Sequence, residues 1–291
     1  MSRLLIIDGH AYAYRAFHAI RELRGPEGRP TNAIYGFVKM LEKMRSALSP
    51  HFLIVVWDGG LSAERMSALP SYKAQRPAMP EDLRPQFDEI SSYLAAAGIV
   101  EFCGDGIEAD DYIGCLAHAA AVAGTEVVIA SADKDFMQLV TEQIGLLNPN
   151  DKTGVIWGRA EVFAKAGVEP EQIVDWLALM GDAVDNIPGV PGVGPKTAAG
   201  LIAQFGSVDN IFARLSEVKS EKTRAALRTA EADVRRNLNL VRLQNLPCEF
   251  RPEKLSVRAA NIENLRCLYQ RWGFNGMLAA LAGTPQQAEL I

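Results

Sequence analysis

Three short apolar runs, each leading into an aspartate, constrain the fold of this chain more than any other feature. Leu4–Ile7 leads to Asp8, Phe52–Trp57 to Asp58, and Val127–Ala130, through Ser131 and Ala132, to Asp133. The runs are rich in Ile and Val and too short for helices, so they read as strands buried on both faces. Amphipathic patterns separate them. Thr31–Leu48 places Ile34, Phe37, Val38, Leu41 and Met44 on one helical face, with Thr31 as N-cap. Pro80–Ala97 and Asp110–Ala123 read as two further helices. Such alternation predicts an α/β fold, a mostly parallel central sheet with helices on both faces. From about Arg159 the pattern is nearly all helical, with Gly/Pro punctuation at 187–195. The expected organisation is an α/β core over 1–158 and a helical subdomain over 159–291.

Charge divides the chain further. The total is 30 Lys/Arg against 35 Asp/Glu, a formal −5, but residues 101–200 hold 5 basic and 16 acidic side chains. The flanking thirds are net basic, so the total does not argue against a nucleic-acid partner. Cys103, Cys115, Cys248 and Cys267 show no C-x-x-C spacing and no neighbouring His for zinc, and read as reduced thiols. Asp8 interrupts the first apolar run before it could serve as a signal peptide. Later runs fall far below the roughly 20 residues that span a bilayer. A cytoplasmic protein without membrane contact is expected.

The carboxyl ends of parallel strands form the edge where α/β sheets bind ligands. Asp8, Asp58 and Asp133 would gather there. One aspartate after a strand is an ordinary turn or capping residue; three of three point to a site. Glu108-Ala-Asp110-Asp111 adds three acids at a helix start, more than dipole complementarity needs. Asp133-Lys-Asp135 and Gly181-Asp182-Ala-Val-Asp185-Asn186 bring the set to nine carboxylates: Asp8, Asp58, Glu108, Asp110, Asp111, Asp133, Asp135, Asp182 and Asp185. Hard oxygen donors without His or Cys select Mg²⁺ or Mn²⁺ over zinc, and this many suits two ions. Two-metal sites clamp the attacking water and leaving oxygen of a phosphodiester.

Gly189–Thr197 is not a P-loop, because Pro195 stands between the final Gly and the Lys. It fits a glycine hairpin between helices with Pro195 at N1. Backbone N–H groups there, with Gly192, Gly194, Lys196 and Thr197, suit a duplex phosphate. The excursion after the second strand carries Arg65, Tyr72, Lys73 and Arg76. In a helix the last three share a face that suits single-stranded nucleic acid. Arg15, one or two turns past Asp8, faces the same site. His10 reads as a turn or packing residue, and metal-activated water makes it and His18 redundant as bases.

Taken in order, Ile-Asp8-Gly-His, Trp-Asp58, Tyr72-Lys73-Ala-Gln-Arg76, Glu108-Ala-Asp110-Asp111, Asp133-Lys-Asp135 and Gly181-Asp182-x-x-Asp185-Asn186-Ile-Pro-Gly lead into Gly192-Val-Gly194-Pro-Lys-Thr. The chain resembles the structure-specific 5′ nucleases over roughly residues 3–280, and is most similar to the 5′→3′ exonuclease domain of bacterial DNA polymerase I. The resemblance implies a metal-dependent 5′→3′ exonuclease and 5′-flap endonuclease acting in primer removal and repair. It assigns Asp8, Asp58, Glu108, Asp110 and, through water, Asp111 to a first Mg²⁺. Asp133 lies between the ions, and Asp135, Asp182 and Asp185 hold the second. Tyr72, Lys73 and Arg76 fall on a helical arch at about 60–86, with Lys73 and Arg76 steering the scissile phosphate. A helix–hairpin–helix at about 185–205, with a bound K⁺, grips the downstream duplex. The expected partners are DNA with 5′ flaps, nicks or junctions and a DNA polymerase, fused or separate; the protein is expected to be a monomer. Gly59-Gly60 and the Pro70 region depart from the family pattern and could alter the arch; Val184 replaces a common Ser. Rival readings are a ribonuclease of similar acidic α/β design, a non-catalytic DNA-junction binder, and a phosphatase with Asp8 as nucleophile. The phosphatase would want an Asp where His10 stands.

Overall fold

The computed structural model describes residues 2–282. Strands and helices alternate through the first part: β1 (Arg3–Asp8), α1 (Gly9–Ala19), α2 (Asn32–Leu48), β2 (Phe52–Trp57), α3 (Ala63–Ala68), α4 (Arg84–Ala96), β3 (Val100–Cys103), α5 (Ala109–Val122), β4 (Glu126–Ala130), β5 (Ile144–Leu147) and β6 (Ile156–Trp157). Helices dominate afterwards: α6 (Arg159–Ala166), α7 (Ile173–Met180), a hairpin of β7 (Gly181–Asp182) and β8 (Ile187–Pro188), α8 (Pro195–Phe205), α9 (Val208–Ala213), α10 (Glu221–Val241), α11 (Pro252–Leu255), α12 (Ile262–Trp272) and α13 (Asn275–Ala282).

The six strands have the order β3-β2-β1-β4-β5-β6. β1 and β2 pair in parallel from Leu4↔Phe52 to Asp8↔Val56, as do β4 and β5 from Val127↔Ile144 to Ala130↔Leu147. β6 joins β5 antiparallel. Leu4, Leu5, Ile6 and Ile7 are all fully buried, as an unbroken apolar run in a covered parallel sheet should be. The fold is thus α/β with a mostly parallel sheet, as expected. The short β5 and β6 were not anticipated; Gly145 in β5 lets Ile156 pack against its backbone, where a Cβ would meet Ile156 Cγ2 at 2.4 Å.

The chain forms two compact units. The first comprises Trp57–Ala78 and Cys103–Phe250, so α6–α10 share a unit with β4–β6. There α7 packs on α8 and α10. The second comprises Ser2–Val56, Met79–Phe102 and the segment from Arg251.

In the second unit α2 buries Ile34, Phe37, Val38, Leu41 and Met44 as expected. Gly36 lets α1 approach closely, since a Cβ there would lie 2.7 Å from that of Ala16. Thr31 occupies the N-cap position without capping α2 through its side chain. Buried Gln86 does that work, its Oε1 accepting the N–H groups of Ala33 and Ile34 at 2.8 and 3.2 Å. Among the described residues no helix is long and apolar enough to cross a membrane.

The stretch expected as a helical arch is helical at α3 and again where α4 begins. It contains the short α3, then turns from Pro70 through Gln75, then irregular chain up to Pro80. Pro70, Pro77 and Pro80 interrupt helical hydrogen bonding, and Lys73 sits in the left-handed region at φ 54°. Tyr72, Lys73 and Arg76 therefore do not share a helical face. Gly59 is a packing requirement, because a Cβ there would fall 1.8 Å from Gly104 O.

Candidate functional site

Asp8, Asp58 and Asp133 do the ordinary job of an aspartate after a strand with one oxygen each. Asp8 accepts the Ala11 N–H at the start of α1 at 3.0 Å. Asp58 accepts the Ala109 N–H at the start of α5 at 2.9 Å, and Asp133 accepts the Asp135 N–H at 2.9 Å. In the second unit, Tyr12 is held as a neutral phenol by burial and by the Asp8 charge, which Arg15 partly offsets. His10 packs against Phe87 at 4.8 Å between ring centroids, as expected of a packing residue.

The first unit gathers the remaining acids into two groups. Glu108 and Asp111 open α5 and are both buried. Glu108 Oε1 accepts the Ser62 N–H at 2.9 Å and lies 3.1 Å from Arg65 Nη1. Its Oε2 accepts the Tyr72 hydroxyl at 3.0 Å and a short bond from Lys73 Nζ. Burial alone would raise the Glu108 carboxyl; Lys73 and Arg65 outweigh it and hold the group below its ordinary value. Asp111 meets Arg65 in a two-pronged pair at 2.7 and 2.8 Å and also accepts the Gln244 N–H at 2.8 Å. Arg65 Nε and Nη2 donate to Leu240 O and Arg242 O, both at 3.0 Å, so the buried guanidinium is saturated. Burial opposes its charge, but Asp111 and Glu108 hold it firmly protonated.

Lys73 is buried too, with Asp110 and Asp185 carboxylate oxygens 3.9 and 4.0 Å from its Nζ. Its N–H donates to Asp185 O at 2.9 Å. The Tyr72 ring lies 5.0 Å from Lys73 Nζ; burial and Glu108 keep the phenol neutral. Both residues were expected on an exposed face, and the structure buries them against the acids instead. Arg76 stays half-exposed and donates to Asp185 Oδ1 at 2.7 Å.

The second group is poorer in cations. Asp135, Asp182 and Asp185 each present an oxygen within 4.8 Å of the others. Lys134 Nζ reaches Asp182 at 3.0 Å. Asp135 Oδ1 is buried without a hydrogen-bond partner. Asp133 and Asp135 keep some exposed surface, yet the protein is dense around them. Burial first, then the neighbouring carboxylates, pushes both carboxyls up, Asp135 the more strongly.

Glycines shape the loop that carries Asp182 and Asp185. Gly181 has φ 73°, and a Cβ on it would lie 2.3 Å from Gly189 N; one on Gly189 would lie 2.1 Å from Met180 O. The β7–β8 pairing thus requires two bare backbones. Beyond it, Gly194 caps α8 and Pro195 takes N1, as expected. Gly192, Gly194, Lys196 and Thr197 are exposed. Trp176 Nε1–H donates to Pro195 O at 3.0 Å and ties α7 to the start of α8.

Sequence reasoning missed the clamp formed by Arg65, and the roles of Gln138 and Asn237. Asn237 did leave a signal. It falls in the apolar stripe of α10 with Leu227, Ala230, Val234 and Val241, where a polar side chain is out of place.

A family model described as the 5′-3′ exonuclease N-terminal resolvase-like domain matches residues 3–167, and one for the 5′-3′ exonuclease C-terminal SAM fold matches 168–263. A 5′-3′ exonuclease of Aquifex aeolicus is 38% identical over 290 residues, covering 99% of this chain and 98% of that protein. DNA polymerase I of Bacillus caldotenax is 36% identical over 293 residues, covering 99% of this chain but 33% of the polymerase. The chain therefore spans about a third of that relative. A solved bacteriophage T5 D15 flap endonuclease, in complex with DNA and metal ions, is 24% identical with a TM-score of 0.69, covering 97% of this chain and all of that one, and matches it in fold. With both halves matched by its domains and a near full-length relative alongside, this chain belongs to the 5′-3′ exonuclease family.

Proposed function

We propose that this nuclease cleaves DNA phosphodiesters near junctions of duplex and 5′ single strand, using two divalent cations, with Mg²⁺ preferred and Mn²⁺ a substitute. The Asp135–Asp182–Asp185 group carries the reading: three hard-oxygen ligands share one small space, and one of the Asp135 oxygens is buried and unpaired. That donor set fits a divalent cation. Asp133 would border both ions, and Asp8, Asp58, Glu108 and Asp110 would serve the first. Asp111, its oxygens engaged by Arg65 and Gln244, would act at most through water. Bound there, such ions supply a lowered pKa for the attacking water and charge stabilisation at the leaving 3′ oxygen.

The chain's own residues supply the rest. Lys73 and Arg76 rest on Glu108 and Asp185 and would pass to the non-bridging oxygens of the scissile phosphate. Tyr72 would offer a stacking face to the 5′ strand once it leaves Glu108, and Arg15 would grip its backbone. At the α8 start, exposed N–H groups of Lys196 and Thr197 with Gly192 and Gly194 would hold a duplex phosphate, with K⁺ beside them. The T5 neighbour, solved with DNA and metal ions, supports this reading. Primer removal and repair, association with a fused or separate DNA polymerase, a monomeric state and a cytoplasmic location complete it.

A labelled 5′-flap duplex tests the reading. Cleavage should require Mg²⁺ and stop with EDTA. Asp182→Ala should slow it by at least about two orders of magnitude, the scale of losing one preorganised electrostatic group. Equal rates for variant and wild type would overturn the assignment. Flap binding in EDTA without cleavage on adding Mg²⁺ or Mn²⁺ would favour a non-catalytic junction binder, and preference for an RNA single strand would favour a ribonuclease.

A further inference from the structure

Besides Asp58, the site acids of the first unit come from three stretches, 108–111, 133–135 and 182–185, and no local pattern fixes the distances between them. One helix meets all three. Asn237 on α10 is wholly buried, and its Nδ2 donates to Ala178 O at 3.2 Å and Pro188 O at 2.7 Å. Those carbonyls flank the loop bearing Asp182 and Asp185, one in α7 and one in β8. Gln138, in the 3-10 turn Lys134–Leu139, donates from Nε2 to Asp135 O at 2.9 Å and Val241 O at 3.1 Å. Its Oε1 accepts the Leu243 N–H at 3.1 Å. Arg65 joins Leu240 O and Arg242 O to Asp111 and Glu108. The last carbonyls of a helix lack intrahelical partners. Here Gln138, in the turn that carries Asp135, satisfies Val241 O, and Arg65, which pairs with Asp111 and Glu108, satisfies Leu240 O and Arg242 O.

Asn237 is also an expensive choice for stability alone. Its Oδ1 is buried without a hydrogen-bond partner, a cost that Leu at the same place in an apolar stripe would avoid. Neither Asn237 nor Gln138 bonds a carboxylate; both act on backbone carbonyls.

We propose that α10 gauges the spacing of the acidic site, with Asn237 and Gln138 as positioning residues that set the Asp182–Asp185 loop and the Asp133–Asp135 turn for cation binding. The inference rests on the metal-dependent reading above and specifies what holds that site in register. Supporting groups that orient metal ligands change affinity by roughly 10- to 100-fold when lost.

The test uses the whole chain with Asn237→Leu and Gln138→Met, each checked for folding by circular dichroism. Mn²⁺ binding is measured by electron paramagnetic resonance without DNA, and flap cleavage is titrated against Mn²⁺. Each variant should bind Mn²⁺ at least about tenfold more weakly. Cleavage should recover at saturating Mn²⁺, with KM for the flap unchanged. Folded variants that bind Mn²⁺ like wild type, or a cleavage defect that saturating Mn²⁺ leaves in place, would overturn the role of α10. If Asn237→Leu does not fold, Gln138→Met and the smaller change Asn237→Ser decide the question by the same readouts. A wild-type protein that binds no Mn²⁺ would instead bring down the metal-dependent reading itself.

Discussion

Glu108 and Asp111 share a compact unit with Asp133 and Asp135, and all four are carboxylates set at the start of a helix or helical turn. Their surroundings differ. The first pair is met by buried Arg65 and Lys73 and is saturated with donors. The second pair is pressed against Asp182 and Asp185, with Lys134 nearby, and its carboxyls are pushed up. Carboxylates at equivalent positions can thus be paired with buried cations or crowded by other carboxylates. The difference lies in what the rest of the chain brings to them. Buried cations of the protein meet the first group, while the second has the partly exposed Lys134 and Arg76 at its edge.

The largest test strikes the first group. Arg65→Met leaves Asp111 buried without its partner and should cost about 3–5 kcal/mol in urea unfolding. Adding Asp111→Leu should return much of that loss, because two apolar side chains of similar volume can replace a buried pair. A cost for Arg65→Met below about 1 kcal/mol would mean the pair is not the framework element described. Next in size is the response to cations. Mg²⁺ at about 100 times its dissociation constant should stabilise the wild type by about 2.7 kcal/mol in thermal melts. Asp182→Ala should lose most of that gain while keeping the metal-free fold.

A smaller effect separates the groups by sign. Asp135 has a folded-state value above the ordinary 3.8, so the folded state holds protons that the unfolded chain releases. The stability it contributes is present below pH 3.8 and is lost as pH rises through the raised value. Glu108 runs the other way: its contribution is present above pH 4.5 and is lost as pH falls through the depressed value. Asp135→Asn should therefore stabilise the metal-free protein at neutral pH by about 1 kcal/mol. Glu108→Gln should destabilise it, and matching signs in urea titrations from pH 4 to 8 would erase the distinction. The smallest expected change is Lys134→Ala, whose partly exposed pair with Asp182 should cost less than about 1 kcal/mol.

Much of this was legible from local pattern. The apolar runs of β1, β2 and β4, the α2 face and the Pro195 start of α8 are short-range features, and each read correctly. The carboxylates could be named one by one, but not sorted. Arg65 and Asp111 are 46 residues apart, and Gln244 is 133 residues from the Asp111 it bonds. No periodicity announces such pairs. The burial of Tyr72 and Lys73 was hidden for a related reason. Their residue types fit an exposed nucleic-acid face, and only the left-handed turn at Lys73 carries them into the acids. Thr31 had the right side chain for a cap, yet Gln86, brought in by the fold, took its place.

The backbone contact between Gly181 and Gly189 has a consequence for how this protein can change. Because neither position has room for a Cβ, the span bearing Asp182 and Asp185 has little freedom to be lengthened, shortened or rethreaded. In a library covering residues 181–189, variation should therefore concentrate at outward positions such as Val184, 68% exposed. Ser should be interchangeable with Val there. Innovation in substrate choice would have to come from the segments around this loop.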